Sequence, residues 1–222
     1  MLMSPRVVSA SLRRPPPCAP PMSGAAPVID VALQTRLDAL CAEGWALFDE
    51  FDRRVRDRTF HPFVAADYEV VLAALVAHRS VGHRFLEWGS ATGTISVMAD
   101  LLGFEAAGIE LDDTLVATAR GLAARFESRA RFAAGSFLPT GYRWRSPVAN
   151  AISATMGEGP SGYLQLGAGL DDFDVVFGYP WGGEAPMMLD LMRCYGRRDA
   201  LLLLHDTEHG VRAYRNGRHV SD

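Results

Sequence analysis

Little in this chain ties it to a disulfide framework, a membrane or a polyanion. Its three cysteines, Cys18, Cys41 and Cys194, are far apart and form no Cys-x-x-Cys pair, so neither a thiolate zinc site nor a disulfide scaffold is written into it. A reducing cytoplasm is the expected setting. Apolar runs such as 200–204 fall far short of a bilayer's thickness, so no membrane partner is expected. Basic charge is not in excess. The net charge is −4 and the pI about 5.9, which argues against a nucleic-acid partner. Arg193, Arg197, Arg198, Arg212, Arg215 and Arg218 gather near the carboxyl end. No aromatic or glycine pattern accompanies them, and they read as solvated surface. There is no internal repeat.

With 49% hydrophobic residues, 222 residues suffice for one good core. Residues 1–27 are rich in Pro, Ser and Arg, contain no acid, and read as a disordered tail outside the fold. A start placed upstream of a true one at Met22, or a transit peptide, are the other readings. Residues 28–222 then form a single domain, 28–80 as N-terminal helices and 81–222 as a sheet. Asp30 is a candidate N-cap for a helix over about 30–57, with Val31, Leu37, Leu40, Cys41, Phe48, Phe51 and Val55 recurring at helical spacing. His61-Pro62 breaks it. A second helix over 65–79 carries Tyr68, Val71, Leu72, Leu75 and Val76 on one face.

From residue 84 strands and helices alternate. Strands are expected at 85–88, 106–110, 130–133, 173–177 and 200–204, with a sixth, edge strand at 210–214. Helices are expected at 94–102, from Asp112/Asp113 to about 127, and at 184–195. Near-continuous apolar strands alternating with helices predict an α/β, doubly wound, mostly parallel sheet, with its ligand at the strands' carboxyl ends where the order reverses. The loops after Glu87, Glu110, Gly135, Phe177 and Leu204 should converge there on one crevice. Residues 138–171 have little periodicity and read as a lid or as a surface insertion.

Arg84 to Gly93 reads as strand, glycine turn and helix start, and Glu110 ends the next strand: half of a nucleotide-binding βαβ unit. Gly89 and Gly93 admit close approach to the backbone, and Ala91 adds only a methyl. The helix from Thr94 offers unpaired N–H groups to an anion. A dinucleotide fingerprint would need glycines at 89, 91 and 94, and Ala91 and Thr94 deny it. The Walker lysine pattern is missing too. The turn thus suits something other than a diphosphate, such as a carboxylate. Glu110 can accept hydrogen bonds from the vicinal hydroxyls of a ribose, with Asp112 its rival.

Glu87-x-Gly89-x-Ala91-x-Gly93 with Glu110 resembles the class I S-adenosylmethionine-dependent methyltransferases over about residues 60–215. It also resembles a group of bacterial methyltransferase-like proteins marked by Phe-His-Pro-Phe, Phe-Leu-Glu-Trp-Gly-Ser and a Tyr-Pro-Trp turn, here at 60–63, 85–90 and 179–181. The resemblance implies a Rossmann-like methyltransferase fold and S-adenosyl-L-methionine as cofactor. Glu87, Gly89, Ala91 and Gly93 would line its methionine and ribose part, Glu110 would hold the ribose and Leu111 touch the adenine. Ser136 would accept from the adenine amino group, and Phe137 would stack on the ring. Tyr179 replaces the Asn or Asp that amino-group methyltransferases carry in the fourth-strand turn, which disfavours DNA-adenine or glutamine methylation.

Tyr179 and His205 are the expected catalytic residues, Tyr179 beside the sulfonium and His205 as a base, with Asp206 and Glu184 as further candidates. Pro180, Trp181 and Glu184 are expected to bind substrate, and a small-molecule acceptor is expected. A non-catalytic S-adenosylmethionine-binding protein and an NAD(P)-dependent oxidoreductase are the rival readings. His205-Asp206-Thr207-Glu208-His209 spells the inverted zinc-protease signature, but it directly follows a buried strand, so no metal is expected. His61 and His83 are expected near the sheet's ligand-binding end as structural or substrate-facing groups.

Overall fold

The computed structural model describes residues 29–56, 61, 63–144 and 159–220. The tail at 1–27, Phe60 and Pro62 of the Phe-His-Pro-Phe segment, and the middle of 138–171 lie outside them. Helix α1 (Val31–Phe51) starts where Asp30 accepts a hydrogen bond from Leu33 N at 2.8 Å, and it runs into a π-helical turn at Asp52–Arg56. Leu37, Leu40 and Gly44 make its buried stripe. Val31 was expected on that face but is 84% exposed, because the first turn projects beyond the core. At Gly44 a Cβ would lie 2.7 Å from Thr94 and 2.9 Å from Tyr68, so the missing side chain is what lets α1 approach them. Helix α2 (Tyr68–His78) begins later than the pattern suggested. Asp67 takes the N-cap, accepting from Glu69 N and Val70 N, and residues before it carry no helix.

The strands are β1 (Arg84–Trp88), β2 (Glu105–Glu110), β3 (Arg131–Ala134), β4 (Val175–Gly178), β5 (Leu201–Asp206), β6 (Gly210–Arg215) and β7 (Arg218–His219). Among the described residues they form one sheet in the order β3-β2-β1-β4-β5-β6-β7. The first five are parallel; β6 and β7 are antiparallel additions. The sixth strand is therefore not the edge, since β7 pairs beyond it. Helices α3 (Thr94–Leu101), α4 (Asp113–Arg125), α5 (Tyr163–Leu166) and α6 (Ala185–Tyr195) cover the faces. This is the α/β, doubly wound, mostly parallel sheet with N-terminal helices that the pattern implied.

Strand alternation divides the core. Phe85, Val175, Phe177, Leu201 and Leu203 pack under α1 to α4. Leu86, Val176, Leu202 and Leu204 pack under α6 and the 163–173 segment, where Met187, Met188 and Leu191 are essentially sealed from solvent. Such parallel strands, covered on both faces, read as continuous apolar runs. The order reverses between β1 and β4, and the carboxyl ends there open the crevice that parallel α/β sheets use for ligands. His83 immediately precedes β1, so it sits at the opposite, amino end of the sheet, donating its backbone N–H to Asp174 at 2.9 Å. Its expected place near the ligand-binding end is thus corrected, because strand direction fixes which end a residue occupies.

Candidate functional site

The turn after β1 is held by donors and acceptors of the chain itself. Gly89 N and Ser90 N donate to Ile109 O at 2.9 and 3.0 Å. Gly89, Ala91 and Gly93 all have positive φ, 68°, 44° and 80°. For Ala91 that conformation is unfavourable, and Glu110 stabilises it by accepting from Ala91 N at 2.8 Å. The second Glu110 oxygen accepts from Leu111 N at 2.7 Å and Asp112 N at 3.0 Å. A carboxylate has about four lone-pair sites, so little of this one is left for a ribose.

The glycines do different jobs. A Cβ at Gly89 would meet nothing within 4 Å and points to open space. A Cβ at Gly93 would lie 2.7 Å from Ala119 and from the Phe132 ring. Gly93 therefore brings α3 against α4 and β3 and does not line the large cavity described below. Glu87 is also turned away from that cavity. Its carboxylate, 4% exposed, accepts from Ser96 N at 2.9 Å and Ser96 Oγ at 2.6 Å, beside a small void shared with Tyr68, Thr92 and Thr94. Burial pushes its pKa up to about 8 against the two Ser96 hydrogen bonds. The carboxylate that the turn faces is thus the protein's own.

Two cavities open at the carboxyl ends, where one crevice was expected. The larger, about 430 Å³, is lined by Gly89, Ala91, Glu110, Leu111, Ser136 and Phe137, with Trp88, Ile109, Asp112 and Met188. Phe137 stacks on Trp88, centroids 5.4 Å apart and planes at 22°. Trp88 Nε1 donates to Tyr163 Oη at 2.8 Å, tying the segment after the third strand to the first. Ser136 Oγ accepts from Leu138 N at 3.2 Å, and Leu111 is exposed at the rim. Asp112 caps α4 through one oxygen, and the other approaches His61 Nε2 at 3.5 Å. His61, Phe63 and Val64 form a strap over this cavity, where Phe63 packs edge-on to Phe48 and Phe51 of α1.

The second cavity, about 400 Å³, lies beyond β4 and is lined by Pro180, His205, Asp206, Arg212 and Tyr214 among others. Val64, Tyr179 and Trp181 line both cavities and form their common wall. Tyr179 packs on the His205 ring at 4.5 Å, and burial first, then the Asp206 charge, raises its phenol pKa. His205 is buried, its Nδ1 has no hydrogen-bond partner, and burial holds its pKa below the ordinary histidine value despite Asp67 and Asp206. Burial thus favours its uncharged form.

Glu184 lines neither cavity. Its carboxylate, 1% exposed, accepts from Trp181 N at 3.0 Å and so fixes the Tyr-Pro-Trp turn from behind. Asp206 accepts from Glu208 N and His209 N at 2.8 and 3.2 Å, capping the β5–β6 hairpin, and these bonds hold its pKa below the usual carboxylate range. That makes it a weak base. The His205–His209 motif thus spans a strand end and a hairpin loop, not one helix face. Among the described residues no group of three or more His, Cys, Asp or Glu is placed to hold a metal ion.

The residues missed from sequence are Trp88, Val64, Arg212 and Tyr214. Arg212 was read with the solvated arginines. It is half-buried because β6 is flanked by β5 and β7 and is not the edge that was expected.

No protein-family model matches the chain, and no curated protein is similar to it in sequence. Its fold is similar to that of an RNA methyltransferase from Salinibacter ruber solved with S-adenosyl-L-homocysteine, at 18% identity and a TM-score of 0.47, covering 64% of this chain and 78% of that one. It is also similar to precorrin-6y C5,15-methyltransferase from Geobacter metallireducens, at 14% identity and a TM-score of 0.44, over 68% of this chain and 71% of that one. A third is the tRNA (uracil-54, C5)-methyltransferase from Pyrococcus abyssi in complex with S-adenosyl-L-homocysteine, at 16% identity and a TM-score of 0.39, over 65% and 30%. All three scores are below 0.5, so the description of the fold rests on the strand order and register themselves.

Proposed function

We propose that the chain binds S-adenosyl-L-methionine in the larger cavity and transfers its methyl group to a small-molecule acceptor. The observation that carries this reading is the cavity's position and lining. It sits at the order reversal, under a turn whose Gly89 leaves open space, with Glu110 at the end of β2 and an aromatic wall of Phe137 and Trp88. These residues suit a nucleoside joined to an amino-acid tail. Gly89 and Ala91 would bear on the tail and sugar, Glu110 on a ribose hydroxyl through its remaining lone pair, and Leu111, Ser136 and Phe137 on the base.

The cofactor supplies a methyl group on a sulfonium, which carries a good leaving group. What the chain contributes is alignment and dryness: holding two reactants in line contributes much of the acceleration in such transfers. Tyr179 and Trp181, on the wall common to both cavities, would orient the acceptor and present ring faces to positive charge. His205 suits hydrogen bonding to the acceptor better than proton abstraction. An orphaned buried N–H is rarer than an orphaned acceptor, so its unpaired Nδ1 is best left bare, with the proton on Nε2. The acceptor is then one that needs no strong base.

Calorimetry with S-adenosyl-L-homocysteine and with NADH tests the cofactor. The first is expected to give heat and the second none; no heat from S-adenosyl-L-homocysteine overturns the reading. Gly89→Arg, which fills the open space, is expected to abolish that heat while the protein still melts cooperatively. A labelled-methyl assay on cell extract, with the product identified by mass, tests transfer. A second reading, a binding protein that does not transfer methyl groups, is favoured by Glu110 being used mainly to brace the turn. Heat without labelled product supports it, and labelled RNA would redirect the acceptor to nucleic acid.

A further inference from the structure

The second cavity contains a cation that the protein leaves unused. Arg212 lines it and is half-buried, and its guanidinium makes no hydrogen bond or ion pair with any described residue. Arg84 and Arg197, by contrast, are engaged, Arg84 with Glu105 and Asp172 and Arg197 with Asp174. Around Arg212 stand the rings of Tyr179, Trp181 and Tyr214, and His205 with its unsatisfied buried Nδ1. Asp206 also reaches this cavity, but it faces the hairpin loop, whose N–H groups occupy one of its oxygens. The cavity's lining therefore combines one cation, one carboxylate already used by the hairpin, and several aromatic rings.

From this juxtaposition we infer that the second cavity binds a small planar acceptor carrying a carboxylate. The carboxylate pairs with the Arg212 guanidinium, and the reactive end lies toward Tyr179 and Trp181 on the wall shared with the first cavity. Arg presents a planar fork that matches a carboxylate through two parallel hydrogen bonds. In a partly desolvated cavity such charge-assisted bonds are stronger than neutral ones. The neutral His205, with its proton on Nε2, adds a donor and no competing charge. The flat aromatic sides select a planar body, and about 400 Å³ admits a small metabolite. The role of acceptor rests on the methyl-transfer reading above; the preference for a carboxylate does not.

The test uses the full chain and two probes, 4-hydroxybenzoate and its neutral isostere 4-hydroxybenzamide, with affinities from ligand-observed NMR. The carboxylate is expected to bind about tenfold more tightly than the amide, the difference being the charge-assisted pair. In Arg212→Gln the two probes should bind equally, and in Arg212→Lys part of the preference should return, with melting curves like the wild type in both. Equal binding of the two probes, no binding of either, or a preference that survives Arg212→Gln would each overturn the inference. S-adenosyl-L-homocysteine calorimetry on the same samples separates the two readings. Cofactor heat without a carboxylate preference sinks this inference alone, whereas a carboxylate preference without cofactor heat sinks methyl transfer and leaves an anion site.

Discussion

The two cavities differ in how much of their charged chemistry the protein has already spent, although Ser90 Oγ in the first turn and Ser161 Oγ beside Ser136 are also buried without a partner. Around the first, Glu110 holds three backbone N–H groups and Asp112 caps α4, and beneath the same turn, facing away from the cavity, Glu87 holds Ser96. Around the second, the Arg212 guanidinium has no partner among the described residues and His205 Nδ1 is buried without one. A saturated site is preformed and presents shape; an unsaturated one pays a desolvation cost that a ligand can recover. Substitutions near the first cavity should therefore cost stability, and those near the second should cost recognition.

The strongest way to break that contrast is Gly93→Val. Its Cβ would collide with Ala119 and Phe132 at a positive φ, and about 4 kcal/mol or more of folding free energy should be lost; a urea midpoint near wild type would refute the packing role. Glu110→Ala strips three donors of their acceptor and releases Ala91 from its unfavourable φ, and should cost about 3 kcal/mol by the same measurement. Glu87 gives a pH test. Its folded pKa, about 8, lies above the ordinary carboxylate value, so its contribution is fully present below about pH 4.5 and is lost as pH rises through 8. Wild-type stability should fall by about 1.4 kcal/mol per pH unit across that window from this group, and Glu87→Gln should flatten the slope. At the second cavity His205→Leu removes the orphaned Nδ1 and should be neutral or stabilising by up to about 1 kcal/mol. A large loss there would mean that the two regions are built alike.

What was legible in the sequence was local. Asp30 and Asp112 stand one residue before their helices, and side-chain caps reach only two or three residues along the chain. The strand–helix alternation gave the sheet, because parallel strands buried on both faces announce themselves as apolar runs. The misreadings involve partners that sequence spacing does not bring together. Glu87 meets Ser96 only because β1 ends over the first turn of α3. Arg212 enters a cavity only because β6 folds back along β5 as a hairpin; Glu184, by contrast, turns back on Trp181 only three residues away, a local contact that the substrate reading passed over. Motif position marks where a side chain starts; whether its polar atoms face a ligand depends on which backbone groups fold against it.

Val64 belongs to both cavities, and the strap that carries it is pinned at His61 to Asp112. One roof over two chambers couples their traffic. An occupant that displaces Val64 on one side therefore changes the wall that the other side presents. Size at that one valine is thus a constraint on both chambers, and the contact of His61 with Asp112 sets where the valine stands.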